Sequence, residues 1–127
     1  MLKKRLDSFK FAFAGIRDLF KTEPNAVIHL IAAVLAVALG FFFSISTTEW
    51  CFVIFSIVIV FSAEAFNTAI EHLTNLVSPD YNELAGKTKD AAAAAVLFVA
   101  IGSAIVGLII FLPKIFSFFG LNQSFHS

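Results

Sequence analysis

The chain has 127 residues, 59% of them hydrophobic and 14% charged, with nine Lys and Arg balanced by nine Asp and Glu and a mean hydropathy of +0.90. That composition excludes a soluble domain, and the length excludes a second domain of any kind. What remains is a small integral membrane protein, in which the single Cys51 lies in an apolar run and leaves no internal disulfide or cysteine-rich metal centre to consider.

Residues 1–21 place Leu2, Leu6, Phe9, Phe13, Ile16 and Phe20 at alternating steps of four and three, with bases between and opposite. This stripe predicts an amphipathic helix lying in the inner membrane interface. No apolar core or small-residue cleavage site follows the basic start, so the segment is expected to stay on the mature protein. Thr22-Glu23-Pro24-Asn25 turns the chain, and the uncharged run 26–43 is the first expected span. His29 falls near its start, where an interfacial hydrogen-bonding role competes with a functional one.

The connection 44–49 has no Lys or Arg, and Trp50 marks re-entry at an aromatic belt. A second span is expected over 50–70, with Glu64 its only charge. Pro79 ends the helix, and 80–90 reads as a polar loop closed by Asp90 as the N-cap of a third span, 91–112. That span opens with five alanines and carries Ser103 and Gly107 at a small-xxx-small spacing suited to close helix approach. The tail 113–127 suggests no function. Six of the nine bases precede the first span and two, Lys87 and Lys89, lie between the second and third, which puts the N-terminus and the 72–90 loop in the cytoplasm.

Glu64, Asn67 and Glu71 stand at i, i+3 and i+7 and share one helix face. A carboxylate in mid-span costs roughly 2.5–3.5 kcal/mol on insertion scales, so it is expected to face a protein interior or polar cavity and to have a function. The plainer alternatives are contact with interfacial water or pairing with a lysine of a neighbouring helix. The other strongly polar groups collect at the same level: Glu23, Asn25 and His29 at the head of the first span, and Lys87, Lys89 and Asp90 before the third. Acids suit Mg²⁺, lysines suit polyphosphate, and one further acid can take a hydroxyl proton, which together are the parts phosphoryl transfer needs. Gly86-Lys87-Thr88 copies the end of a P-loop, but Tyr81 occupies the position of its first glycine and no strand precedes it.

EAFNTAIE at 64–71, followed by SPDYNELAGKTKDAAAAAV, resembles the prokaryotic diacylglycerol kinase and undecaprenol kinase family. SFKFAFAGIR at 8–17 resembles its surface helix and TEPNAVIHL at 22–30 its ERNxRIHL-type segment, so the likeness spans nearly the whole chain. The resemblance implies an all-α membrane protein with an N-terminal surface helix and three transmembrane helices, assembled as a trimeric bundle in the bacterial cytoplasmic membrane. It also implies phosphorylation of a membrane lipid alcohol by Mg-ATP, with no nucleic acid among the partners. Carried over by position, Glu64 matches the general base and Glu23 and Glu71 the metal-binding acids. Asn67, Lys89, Asp90 and Arg17 match the groups around the phosphates, and Asn25 and His29 resemble the undecaprenol kinases in particular. Asn75, where many members have aspartate, Asn82, where some have histidine, and Ala26-Val27, where an arginine often precedes Ile-His, depart from the pattern. The competing functional class is a non-catalytic assembly or channel subunit. A channel would carry a polar line through the whole thickness, and the only polar group deep in the third span is Ser103.

Overall fold

The computed structural model describes residues 1–120 and consists there of α1 (Leu2–Thr22), α2 (Pro24–Phe42), α3 (Thr47–Val77) and α4 (Glu83–Phe118). The last three are long and apolar enough to cross a membrane. Glu23 is the single residue between α1 and α2, and Pro24 takes the first helical position, where its missing N–H leaves no intrahelical bond unmade.

Two expected boundaries are overturned. At 31 and 36 residues, α3 and α4 are about 46 and 54 Å long, so both outrun a hydrocarbon core of about 30 Å. The expected spans 50–70 and 91–112 are only their apolar parts. The polar stretch expected as a loop over 80–90 is helical from Glu83, and the loop shrinks to residues 78–82. Asn82, not Asp90, caps α4, its Oδ1 accepting from the N–H of Leu84 (2.9 Å) and Ala85 (3.2 Å). Helix continues because its hydrogen bonds are internal and indifferent to the lipid boundary, and Glu83 and Lys87 form an i, i+4 ion pair across the first turns. Pro113 likewise sits inside α4 instead of after it, and Lys114 Nζ donates to the Ile110 carbonyl at 3.2 Å beside it. Residues 121–127, the end of the expected tail, lie outside the described residues.

The core sits at the Trp50 end of the bundle, where Ile45, Val53, Ile110 and Phe111 are buried against Leu39, Trp50 and Ile57. The same end is tied by polar groups. Ser46 and Glu49 form a reciprocal capping box on α3, and the second oxygen of Glu49 accepts from Lys114 Nζ at 2.6 Å, joining the start of α3 to the end of α4. Of the glycines, only Gly40 is closely faced by another side chain: a Cβ there would lie 2.6 Å from the Trp50 ring. A Cβ on Gly107, by contrast, would meet nothing within 4 Å, so of the small-xxx-small pair of α4 only Ser103 meets α3, its Oγ donating to the Ser56 carbonyl at 3.5 Å. Gly40→Ala should therefore lower thermal stability in detergent by about 1–3 kcal/mol, the usual penalty for overpacking. Trp50→Phe in the same chain should recover part of that loss, and equal melting of Gly40→Ala and the parent would show that the ring moves freely.

At the opposite end, α1 folds back along α2 and α3. Leu19 and Ala26 are buried, and the Phe20 and Phe61 rings meet at 5.5 Å. Leu2, Leu6, Phe9, Phe13 and Ile16 stay exposed, so the apolar stripe of α1 meets the rest of the chain only at its Phe20 end.

Candidate active site

Residue 64 lies about 26 Å along α3 from Thr47, at the far side of a hydrocarbon thickness. Glu64 is 1% exposed, the only charged residue among the described ones to be buried. Its Oε1 lies 3.1 Å from His29 Nε2 of α2, close enough for an ion pair when the imidazole is protonated. The contact falls outside hydrogen-bond alignment, however, and Oε1 has no hydrogen-bond partner. The lysine partner considered from the sequence is absent; a histidine takes its place. An under-satisfied buried carboxylate is costly, and natural proteins keep such a group where a ligand completes it.

Asn67 and Glu71 follow down the same face, linked by Asn67 Nδ2 donating to Glu71 Oε1 at 3.3 Å. Asn67 Oδ1 is buried and unpartnered, as is the hydroxyl of Thr68 between them. Glu23, half-buried at the α1–α2 junction, and Glu71 both lie within electrostatic range of Glu64. Glu64 thus feels two further carboxylates, one from the α1–α2 junction and one from its own helix, with His29 as its counter-charge at 3.1 Å. Among the described residues no three of His, Cys, Asp and Glu are grouped closely enough to hold a metal ion.

The remaining candidates are placed less tightly. Lys89, half-buried on α4, donates through Nζ to Asn75 Oδ1 on α3, an attachment fourteen residues apart that no helical period announces. Its charge meets an amide and no carboxylate, unlike Lys87, which is paired with Glu83 in the open. Asp90, Arg17 and Asn25 are exposed and make no side-chain hydrogen bond or ion pair among the described residues. Asn75 and Thr68 are the residues that sequence reasoning missed. Thr68 had a legible signal in its i+4 spacing from Glu64, whereas Asn75 stood out only as a departure from a family pattern.

Beside His29 an apolar groove of about 390 Å³ opens between α2, α3 and α4, running along Ala32, Ala36, Val60 and Ala104 to Phe111. A polar, acid-rich end on three apolar helices, with a hydrocarbon-lined groove leading from it, defines an integral membrane enzyme acting at the boundary between lipid and water. Comparison with known proteins sharpens this. The family model described as prokaryotic diacylglycerol kinase matches residues 10–111, and the chain belongs to that family of lipid kinases. It is 41% identical to an undecaprenol kinase of Bacillus subtilis over 90% of this chain and 93% of that one. It is 34% identical to a diacylglycerol kinase of Synechocystis, of which it covers 65%, and 28% identical to that of Escherichia coli K12, covering 82%.

Proposed function

We propose that the protein transfers the γ-phosphoryl group of ATP to the hydroxyl of a membrane lipid alcohol, with undecaprenol ranked ahead of diacylglycerol, at the cytoplasmic face of the bacterial inner membrane. The observation that carries this reading is the buried carboxylate of Glu64, whose Oε1 makes no hydrogen bond and faces His29 at 3.1 Å, with His29 itself lining the end of an apolar groove. In that position the carboxylate accepts the proton of the lipid hydroxyl while its tail remains among apolar side chains. The alcohol oxygen bonds to phosphorus, the bond from phosphorus to the ADP oxygen breaks, and the proton comes to rest on Glu64.

Glu23 and Glu71 both act on Glu64 electrostatically, and Mg²⁺ prefers one or two carboxylates plus phosphate oxygens to an all-protein cage. Glu23 and Glu71 would hold it, and bound there it supplies neutralisation of the polyphosphate charge. Lys89, held by Asn75 and without a carboxylate partner, would donate to phosphate oxygens together with Arg17, while Asn67 and Asp90, which offer acceptors, belong beside the cation and the reacting centre. Asn25 and His29 lie on the lipid side, and together with the similarity to an undecaprenol kinase they favour the polyprenyl alcohol. The exposed stripe of α1 suits a helix lying in the interface. A homotrimer is supported by the family resemblance, and three spans make a thin bundle that needs further copies to enclose a polar site away from lipid. The deciding experiment offers purified protein Mg-ATP with undecaprenol and diacylglycerol in turn; phosphorylation of neither would overturn the reading.

The orientation follows from the distribution of bases. Single cysteines at positions 3–21 and 80–90 should be labelled from the cytoplasm and those at 45–48 from outside. Labelling of 80–90 from outside would reverse the topology.

A further inference from the structure

We propose that the Thr68 hydroxyl is a substrate-contacting group that donates a hydrogen bond to the lipid alcohol oxygen, so that Glu64 and Thr68 hold that hydroxyl between an acceptor and a donor. The inference rests on the kinase reading of the site. Threonines inside helices commonly turn their hydroxyls back onto the carbonyl four residues earlier. Thr22, Thr74 and Thr88 all do so, at 2.7, 2.7 and 2.9 Å. Thr68 does not. Its Oγ1 is out of water, makes no hydrogen bond among the described residues, and lies on a face carrying two further buried oxygens that make none either, Glu64 Oε1, which faces His29 at 3.1 Å, and Asn67 Oδ1.

The geometry of the helix puts these groups together. Thr68 falls about 40° around the axis from Glu64, and side chains at i and i+4 have Cβ atoms about 5–6 Å apart, a gap that one oxygen atom can bridge. The chemistry explains why a hydroxyl belongs there. An alcohol has one proton to give and two lone pairs to be held, and a carboxylate can only accept. Asn67, the neighbouring amide, turns its nitrogen to Glu71 and presents an acceptor to the site. Thr68 is the donor on this face that nothing within the chain uses. With the substrate proton on Glu64 and one lone pair held by Thr68, the second lone pair is free to form the bond to phosphorus as the bond to the ADP oxygen breaks and the proton passes to Glu64.

Thr68→Val keeps the branched shape and removes the donor. In the purified full-length protein with Mg-ATP and undecaprenol, it should lower kcat/KM for the lipid by about tenfold or more, the scale of one lost hydrogen bond to a buried polar group, while KM for ATP stays within about twofold. Thr68→Ser should restore most of the loss. A packing role predicts the reverse order, because valine fills an apolar site better than serine does. Parent-like kcat/KM in Thr68→Val, or a serine variant no better than valine, overturns the proposal. If the valine variant fails to assemble, Thr68→Ala and Thr68→Ser are compared, and equal lipid kinetics in those two overturns it as well. Normal Thr68→Val kinetics beside a disabled Glu64→Gln would remove this inference alone, whereas full activity in Glu64→Gln would remove the reading beneath it.

Discussion

Glu64→Gln is expected to lower kcat by roughly 10²-fold or more, the usual scale for loss of a general base, with KM for Mg-ATP changed only modestly. Glutamine matches glutamate in size, so the packing that leaves this residue 1% exposed survives the change. What disappears is the group that takes the proton, and a lipid hydroxyl is a poor nucleophile until its proton has somewhere to go. The neutral amide also removes the charge that His29 faces at 3.1 Å, and it relieves the crowding of carboxylates by Glu23 and Glu71. The assembly should therefore be at least as stable as the parent. The measurement is steady-state kinetics on protein whose oligomer has been checked by size. Near-normal kcat would end the base assignment, and loss of activity only through loss of the oligomer would return Glu64 to a structural role.

The second large effect should appear in magnesium titrations. Glu23→Gln and Glu71→Gln should each raise the Mg²⁺ concentration needed for half-maximal activity by on the order of tenfold or more, and lower the activity reached, since an amide offers an oxygen without the charge that holds a divalent ion. The two residues are not equivalent in the fold. Glu71 is fixed by Asn67 Nδ2, so its replacement also disturbs the amide whose Oδ1 points unpartnered into the site. The Glu23 side chain, at the α1–α2 junction, makes no hydrogen bond or ion pair among the described residues. Glu71→Gln should accordingly be the more severe of the two. Unchanged titrations in both would sink the metal assignment.

Much of the site was legible in the chain because one helix carries its centre. Glu64, Asn67 and Glu71 share a face by helical spacing alone, and no packing is needed to bring them together. The membrane class, the three apolar helices and the acid-rich end follow from composition and from the cost of a charge in lipid, both of which are properties of residues and solvent. The motif around Glu64 was distinctive enough to indicate the lipid kinase family, which similarity over residues 10–111 then established.

Contacts between helices were not legible, because they depend on how far a helix continues and how it turns against its neighbour. Polarity fixes where lipid ends and says nothing about where a helix ends, so α3 and α4 run past the boundaries that hydropathy suggested, and Asp90 became an exposed residue within a helix instead of its cap. The same extension places Asn75 beside Lys89. Only the packing of α2 on α3 decided that the counter-charge to Glu64 is His29, and only tertiary packing left the hydroxyl of Thr68 buried without a hydrogen bond among the described residues. The sequence by itself determined the kind of protein and the face of the helix on which its chemistry lies, since those depend on local spacing and transfer free energy. The tertiary structure decided which groups on that face are satisfied and which remain open, since hydrogen-bond satisfaction is a property of pairs of atoms that the chain order does not bring together.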